Sequence, residues 1–330
     1  MHLLLTAFSV HIQGADNMYL GFDTSNYTTS VALYDGKNIF QAKKLLTVKP
    51  GEKGLRQSDA LFQHTQNIPK LIDDINFNGS ISAVAVSTRP RNVEGSYMPC
   101  FLAGISAAST VSKFCNAQLF ETSHQVGHIL SALYSADKLE FLSGPFIAFH
   151  LSGGTTEALL VKPDKDEIIK AEIISQSLDL KAGQAIDRAG VMLSLDFPCG
   201  VELDKLSQNS DKEFNYKPSM KGIDCSLSGI ENKANAMLEN YESREVIAKF
   251  VLTAVSNTIC EMLIRIVDKY CDLPILFSGG VSSNSILRKS VNKQFNAYFA
   301  SPEFSCDNAA GIAIYAFLKD KYDNNYSFTD

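Results

Sequence analysis

The stretch Met18-Tyr19-Leu20-Gly21-Phe22-Asp23-Thr24-Ser25 decides the fold, because its pattern returns once later in the chain. Its apolar part predicts a short strand over Met18 to Phe22. The polar loop Asp23 to Thr29, rich in hydroxyl groups, leads into a second predicted strand over Ser30 to Tyr34. Together these segments predict a β-hairpin that opens a mixed α/β unit.

The second copy of this pattern begins at Pro145. Pro145 to Leu151 predicts a strand, Ser152-Gly153-Gly154-Thr155-Thr156 a loop, and Ala158 to Val161 a return strand. Aligning Ser25 with Ser152 places the two copies 152 − 25 = 127 residues apart. Two such hairpins predict a duplicated α/β fold whose two lobes face each other across a cleft.

A third motif has the order strand, glycines, helix. Leu273 to Phe277 predicts a strand, Ser278-Gly279-Gly280-Val281 a turn, and Asn284 to Val291 a helix. Glycines let backbone N–H groups approach a phosphate or ribose, although a Gly-Gly turn alone also occurs between ordinary strands and helices. Because Ser-Gly-Gly ends an apolar strand twice, we interpret the pair as part of a nucleotide site.

Composition excludes several classes of protein. The 330 residues include 30 Lys and Arg against 36 Asp and Glu, a net charge of −6, so any nucleic-acid contact requires a local basic patch. Seven scattered cysteines without a C-x-x-C pair predict reduced thiols in the cytoplasm. Phe250 to Val267 is interrupted by polar residues and predicts a core helix, and we expect no membrane span. We interpret residues 1–17 as an extension or alternative start.

The strongest candidate for chemistry is the pair His124 and His128. Four residues apart on a predicted helix, both imidazoles lie on one face and can reach one ion. The third ligand is either Asp307 or Glu121, although Asp307 could instead cap the helix that follows it, and the histidines could simply line a helix surface. Two histidines and one carboxylate suit Fe(II) or Zn(II).

Two further carboxylates lie near glycine turns. Asp187 lies within Lys181-Ala182-Gly183-Gln184-Ala185-Ile186-Asp187-Arg188, and Asp204 follows the turn at Pro198-Cys199-Gly200. Such carboxylates can accept hydrogen bonds from ribose hydroxyls. A solvated helix face for Asp187 and an exposed charge for Asp204 are the alternatives.

Seven short sequence blocks follow one another in a fixed order. They are Gly21-Phe22-Asp23-Thr24-Ser25, His124-x-x-x-His128, Ser152-Gly153-Gly154-x-Thr156, Ala182-Gly183-Gln184-Ala185-Ile186-Asp187, Ser226-Leu227-Ser228-Gly229, Ser278-Gly279-Gly280-Val281-x-x-Asn284 and Pro302-Glu303-Phe304-x-x-Asp307-Asn308. In this order the blocks closely resemble the TsaD family, the bacterial tRNA threonylcarbamoyladenosine transferases formerly called O-sialoglycoprotein endopeptidases or peptidase M22. The resemblance extends from Tyr19 to Leu318.

The resemblance implies an α/β fold of the duplicated, two-lobed ASKHA class (actin, sugar kinase, Hsp70), with the nucleotide cleft between the lobes. We expect lobes at 18–140 and 141–330, the second with a helical insertion at about 165–240. It also implies that His124, His128 and Asp307 bind one divalent metal. The implied binding set for ATP or threonylcarbamoyl-AMP is His150, Leu151, Ser152, Gly153, Gly154, Asp187, Gly200, Asp204 and Asn284.

The implied reaction transfers a threonylcarbamoyl group from threonylcarbamoyl-AMP to N6 of the tRNA adenosine beside the anticodon. TsaB-like and TsaE-like proteins are the implied partners. A basic run could contact tRNA phosphates, although a solvated loop is the simpler interpretation. Its members are Lys43, Lys44, Lys49, Lys53 and Arg56.

The chain departs from the family pattern at several positions. The family's Cys-Asp-Glu-Thr is Asn26-Tyr27-Thr28-Thr29, which lacks both acids, and its Gly-Pro-Gly is Arg89-Pro90-Arg91, whose guanidinium groups could bind phosphate through side chains. These changes are typical of a divergent paralogue. The alternatives are therefore a nucleotide-binding scaffold or a carbamoyltransferase with another acceptor. A peptidase is disfavoured because Gln125, beside His124, cannot act as a general base.

Overall fold

The computed structural model describes residues 12–13, 17–25, 27–48, 55–75 and 77–323. These residues form two compact units. The first unit contains the described residues up to Tyr134, the segment Asp164–Lys170 and the described residues from Asp307 onward, and the second contains Ser135–Pro163 and Ala171–Cys306. The chain thus leaves the first unit after Tyr134, close to the expected boundary at residue 140. The segment from Asp307 onward, expected in the second lobe, packs instead with the first unit.

The first unit is built on a five-stranded sheet in the order β4-β3-β2-β6-β7. Strands β2, β3 and β4 are antiparallel neighbours, whereas β6 and β7 are parallel to β2. Its elements are β1 (Ile12–Gln13), β2 (Met18–Asp23), β3 (Thr28–Tyr34), β4 (Ile39–Leu45), α1 (Gln57–Ile75), β5 (Phe77–Asn78), β6 (Ile81–Arg89), α2 (Phe101–Cys115), β7 (Gln118–Ser123) and α3 (His124–Ser135).

The second unit repeats this topology in a five-stranded sheet of order β10-β9-β8-β13-β14. Its elements are β8 (Phe146–Leu151), β9 (Thr156–Asp164), β10 (Ile168–Gln176), α4 (Ala182–Met192), α5 (Gly200–Ser207), β11 (Ser219–Lys221), β12 (Asp224–Ser226), α6 (Ser228–Glu239), α7 (Arg244–Tyr270), β13 (Ile275–Ser278), α8 (Ser285–Asn292) and β14 (Ala297–Phe299). Helix α9 (Ala310–Asp323) belongs to the first unit, and 3₁₀ turns span Leu139–Ser143, Gly280–Ser283 and Pro302–Phe304.

The two sheets confirm the predicted duplication. Each has an antiparallel three-stranded meander followed by two parallel strands, with the predicted hairpins β2–β3 and β8–β9 at corresponding places. The first part of the expected helical insertion at about 165–240 is not helical, because residues 168–176 form strand β10. Its β-branched isoleucines, two of them buried at the start of the strand, favour an extended edge strand beside β9.

Apolar strands and one long helix form the core of the second unit. Phe149, Phe277 and Phe299 occupy facing positions on β8, β13 and β14, and their rings stack with centroids 4.7 and 4.9 Å apart. Helix α7 is long and apolar enough to cross a membrane, but 67% of its apolar stretch is buried against this core. It therefore fits the predicted core helix.

Glycines allow α9 to approach the rest of the first unit closely. A Cβ on Gly311 would overlap the carbonyl oxygen of Gly127 in α3, and a Cβ on Gly127 would lie 2.6 Å from Cδ1 of Ile312. Gly21 of β2 meets the backbone of Ala309 and Ala313 in the same way. Only residues without a β-carbon permit these backbone distances.

We expect Gly311→Ala to lower the free energy of unfolding by about 1–3 kcal/mol, because the new methyl group overpacks the contact between α9 and α3. Gly229→Ala is the matched control, since Gly229 is also the second residue of a helix but faces open space. Urea unfolding of the full chain measures both. Equal stability of the two variants would contradict the close-packing argument.

Candidate functional site

The start of helix α3 brings two imidazoles together with a carboxylate. The Nε2 atoms of His124 and His128 lie 2.8 Å apart, because residues four apart share one helix face. Oδ1 of Asp307, in the turn before α9, lies 3.2 Å from Nε2 of His128 and 3.6 Å from Nε2 of His124. All three residues belong to the first unit.

The geometry of these three groups fits a divalent metal. One ligand atom from each residue lies within 4.8 Å of the others, and each side chain is partly buried. A transition metal holds imidazole nitrogen and carboxylate oxygen at about 2.0–2.2 Å, so ligands that share an ion lie about 3 Å from one another. Two imidazoles and one carboxylate match the donor preference of Fe(II) or Zn(II) and leave coordination positions open.

Asp23, the last residue of β2, orients His124. Its Oδ2 lies 2.7 Å from Nδ1 of His124, while its Oδ1 accepts hydrogen bonds from the Ser25 N–H (2.9 Å) and the Ser87 hydroxyl (3.0 Å). A proton held on Nδ1 leaves the Nε2 lone pair directed towards the metal position, as in carboxylate–histidine–metal arrangements. Asp23 belongs to the first family block, but the sequence alone assigned it no role. The signal that could have identified it is an acidic residue at the end of an apolar strand.

The same contacts set the charges of the site. Burial opposes a charge on His124, but the neighbouring carboxylates of Asp23 and then Asp307 outweigh burial and raise the pKa of His124 to about 10. Burial likewise opposes ionisation of the carboxylates. The charge and hydrogen bond of His124 nevertheless lower the pKa of Asp23, and both histidines hold the pKa of Asp307 well below its ordinary value. Both acids are therefore carboxylates at neutral pH, and a metal that binds Nε2 of His124 would have to displace the proton that the raised pKa favours.

Asp307 is not the cap of helix α9. That role belongs to Asn308, whose Oδ1 accepts the Ala310 N–H (3.0 Å) and the Ser131 hydroxyl (2.9 Å). The Asp307 carboxylate faces the histidines instead. Glu121, the other candidate ligand, is exposed on β7 and lies outside the group.

The second unit holds the Ser152-Gly153-Gly154 loop between β8 and β9. The loop is closed by the Ser152 N–H, which donates to the Thr155 carbonyl (2.7 Å), and it packs on the start of α4 through the Gly183 N–H and the Ser152 carbonyl (3.2 Å). A Cβ on Gly183 would lie 2.6 Å from the Gly153 nitrogen, whereas a Cβ on Gly153 or Gly154 would meet open space. The loop therefore presents an open backbone surface.

Three other predicted binding residues hold neighbouring elements in place. Asp187 Oδ1 accepts the Cys199 N–H (2.9 Å), which ties α4 to the start of α5 at Gly200. Asp204 accepts both the N–H (3.0 Å) and the hydroxyl (2.7 Å) of Ser285. Asn284 caps α8 by accepting the Leu287 N–H (3.0 Å).

The glycine turn after β13 packs against the end of β8. Gly279 has a φ of 88°, and a Cβ there would overlap the Leu151 carbonyl. His150 Nδ1 lies 3.2 Å from the Ser278 hydroxyl on the neighbouring strand. All nine predicted binding residues lie in the second unit, on the end of β8, the loop after it, helices α4 and α5 and the residue that caps α8, and the contacts above connect these elements. Their role in binding a nucleotide stays a prediction.

One departure from the family pattern has structural partners. The Arg89 guanidinium pairs with Glu167 (3.4 Å) and donates to the Thr88 hydroxyl (3.0 Å), so it is already engaged within the first unit. Thr29, which matches the threonine of the family's Cys-Asp-Glu-Thr, places its buried hydroxyl 2.8 Å from Nδ1 of His64. In the basic run, Lys43, Lys44 and Arg56 lie at or near the surface, and Lys49 and Lys53 lie outside the described residues. Asn26 of the divergent loop also lies outside them, as do residues 1–11 and 14–16 of the expected extension.

Comparison with known proteins decides the family. The family model described as "TsaD: tRNA N6-adenosine threonylcarbamoyltransferase" matches residues 40–314. The chain belongs to the TsaD family. Relatives named tRNA N6-adenosine threonylcarbamoyltransferase include those of Thermosipho africanus, 32% identical over 89% of this chain and 92% of that protein, and Riemerella anatipestifer, 32% identical over 92% of this chain and 93% of that protein.

Solved structures with the same fold have other activities. Component A of (R)-2-hydroxyglutaryl-CoA dehydratase from Acidaminococcus fermentans matches with a TM-score of 0.53 and 14% identity over 92% of this chain and 98% of its own. Full-length HypF matches with a TM-score of 0.57 and 13% identity over 94% of this chain and 47% of its own. These matches agree with the duplicated ASKHA fold that the TsaD resemblance implied, and they carry no functional argument.

We expect Asp23→Asn to weaken Zn²⁺ binding by about 10–100-fold, because an amide orients the His124 ring less strongly than a carboxylate does. His124→Ala and Asp307→Ala should abolish stoichiometric binding. Asp35→Asn, an exposed turn substitution in the same unit, is the control. Competition with a chromogenic chelator measures each affinity. Unchanged Zn²⁺ affinity in Asp307→Ala would exclude the proposed ligand set.

We expect Asp204→Ala to weaken ATP binding by about tenfold or more, because two hydrogen bonds that Ser285 donates to the Asp204 carboxylate hold Ser285 and the adjoining Asn284 in place. Asp268→Ala, an exposed position on α7, should leave ATP affinity unchanged. Isothermal titration calorimetry measures both variants. An unchanged ATP affinity in Asp204→Ala would show that Asp204 and the start of α8 are not part of the ATP-binding surface.

Proposed function

We propose that this chain transfers a threonylcarbamoyl group from threonylcarbamoyl-AMP to N6 of the adenosine beside the anticodon in tRNA. The observation that carries the proposal is the convergence of His124, His128 and Asp307 in a member of the TsaD family, with Asp23 orienting the His124 ring. Transfer to an amine requires a carbonyl carbon that accepts the nucleophile and a leaving group that departs as an anion. No side-chain nucleophile is needed.

Each residue of the first-unit site has a definable role. His124, His128 and Asp307 would hold one divalent cation, Fe(II) or Zn(II), which supplies Lewis acidity towards a carbamoyl oxygen when it is bound. Asp23 fixes the ring orientation and tautomer of His124. Ser25 contributes a hydroxyl 2.8 Å from the same Nδ1 and donates its N–H to Asp23, which keeps the loop after β2 in place.

The second-unit surface is the proposed site for the adenylate. The open backbone of Gly153 and Gly154 offers room for close approach of a phosphate. Asp187 and Asp204 supply carboxylates suited to ribose hydroxyls, and both also fix the helix starts at Gly200 and Ser285. Displacement of AMP by the N6 amine then breaks one C–O bond and forms one C–N bond, and the amine loses a proton.

The proposed partners follow from the family. A tRNA acceptor requires a positively charged contact on an acidic chain, for which Lys44 and Arg56 are exposed candidates. We also propose TsaB-like and TsaE-like proteins as partners and a cytoplasmic location, in keeping with seven cysteines that form no disulfide within the described part of the chain.

A second function is favoured by one observation. Where β2 turns into β3, Tyr27 and Thr28 stand in place of the family's two acids. A chain with this loop fits a nucleotide-binding scaffold that retains the fold without transfer, or a carbamoyltransferase with another acceptor. Neither alternative changes the expected metal or nucleotide affinity.

We expect the purified, metal-loaded protein to transfer labelled threonylcarbamoyl to unmodified tRNA in the presence of TsaB-like and TsaE-like proteins. Asp307→Ala should lower the rate at least about 100-fold, because the site loses a ligand, while ATP binding by the second unit is unaffected. Labelled nucleoside recovered from the anticodon loop is the readout. ATP and metal binding without label in tRNA would contradict transfer and favour the scaffold.

A further inference from the structure

A cavity of about 400 Å³ lies in the second unit, at the amino ends of β13 and β14. The 3₁₀ turn Leu139–Ser143, the link between α7 and β13 and the residues before β14 supply its walls. Strands β8, β13 and β14 are parallel, and the glycine loops at Ser152 and Gly279 follow the carboxyl ends of β8 and β13. The cavity therefore lies at the opposite end of the strands from these loops, and its described lining contains none of the nine predicted nucleotide-binding residues.

Three aromatic side chains line this cavity, namely Phe141, Phe295 and Tyr298. Each is partly exposed, so its ring is not fully enclosed by the core. The Phe141 and Tyr298 rings meet edge to face, with centroids 5.4 Å apart. The face of an aromatic ring attracts cations, and Nζ of Lys138 already lies 4.8 Å from the centroid of the Tyr298 ring. The lining therefore offers the electron-rich surfaces that bind ammonium groups.

A single carboxylate sets the charge of the lining. Among the described residues that line the cavity, Asp272 alone carries a formal charge, and its carboxylate has no hydrogen bond or ion pair with another described residue. The side chains of Gln294 and Asn296 add amide groups, which are neutral. Lys138 lies outside the lining and is paired with Glu140 at 3.0 Å. The cavity therefore favours a positively charged ligand and disfavours a phosphorylated one.

Asp272 is the middle residue of a tight turn. The Leu273 N–H donates to the Cys271 carbonyl (2.9 Å), and the Pro274 carbonyl accepts the Ile147 N–H (2.9 Å), which ties the turn to β8. Cys271, which ends α7, has a φ of 62°, a backbone conformation that residues with a β-carbon rarely adopt. Backbone strain of this kind concentrates at ligand sites. The main chain therefore positions the carboxylate beside the cavity without the help of a side-chain partner.

We propose that this cavity binds a small organic cation, with its ammonium group against the Asp272 carboxylate and its apolar part against Phe141, Phe295 and Tyr298. A carboxylate beside aromatic rings is an arrangement that recognises alkylated ammonium groups, because the ring faces and the anion attract the same charge. The volume is within the range of ligand pockets. The proposal goes beyond the transfer reaction and stands whether or not the chain modifies tRNA.

The test compares choline with its neutral isostere 3,3-dimethylbutan-1-ol on the full chain, each titrated by saturation-transfer NMR. Choline should bind at least about fivefold more tightly, because only the charged molecule is attracted by the carboxylate and the ring faces. Asp272→Asn should weaken choline binding about fivefold or more and leave the affinity for the alcohol unchanged. Asp268→Asn, which changes an exposed carboxylate in the last turn of α7, is the matched control and should leave both affinities unchanged.

The aromatic requirement is tested by Tyr298→Leu, which should weaken choline binding about threefold or more, against Tyr241→Leu, a 96% exposed position in the same unit that should not. Urea unfolding of both variants shows that they are folded. Absence of choline binding, equal affinity for choline and the alcohol, or full choline affinity in Asp272→Asn would overturn the proposal. Saturating ATP should leave choline binding intact, and displacement of choline by ATP would overturn the proposal too, because it would assign the cation to the nucleotide surface.

Discussion

The close approach of helix α9 to strand β2 and helix α3 is the constraint on which the first unit depends. Gly21, Gly127 and Gly311 lie where backbone meets backbone, and a methyl group at any of them would overlap a neighbour. This packing places the turn before α9 beside the start of α3. Asp307, almost 180 residues beyond the histidines in sequence, thereby reaches their Nε2 atoms. The arrangement of the candidate metal site is thus a consequence of helix packing.

The turn that carries Asp307 is secured independently of its carboxylate. Asn308 caps α9 and accepts from Ser131, and the Ala309 N–H donates to the Ser30 hydroxyl at 2.6 Å. Because neighbouring residues satisfy the backbone, the Asp307 side chain is available to face the histidines. A functional carboxylate held by its neighbours in this way needs little rearrangement to bind a cation.

Residues of the second-unit surface combine two roles. Asp187, Asp204 and Asn284 each satisfy a backbone N–H at the start of a helix, and they lie on the connected loops that we propose for the adenylate. A ligand that bound there would contact carboxylates whose positions are fixed by α5 and α8.

The sequence by itself determined the duplicated hairpins, the glycine turns and the histidine pair. These features are local, since strand alternation, turn residues and the spacing of four are all set within a few residues. Spacing alone left open whether Asp307 or Glu121 joins the histidines, although the family resemblance implied Asp307, and it assigned no role to Asp23. Only the tertiary structure brings Asp307 and Asp23 beside His124, because a contact between residues 101 positions apart, as between Asp23 and His124, depends on how a strand and a helix pack. The same holds for residues 168–176, where pairing with β9 produced a strand within an expected helical insertion.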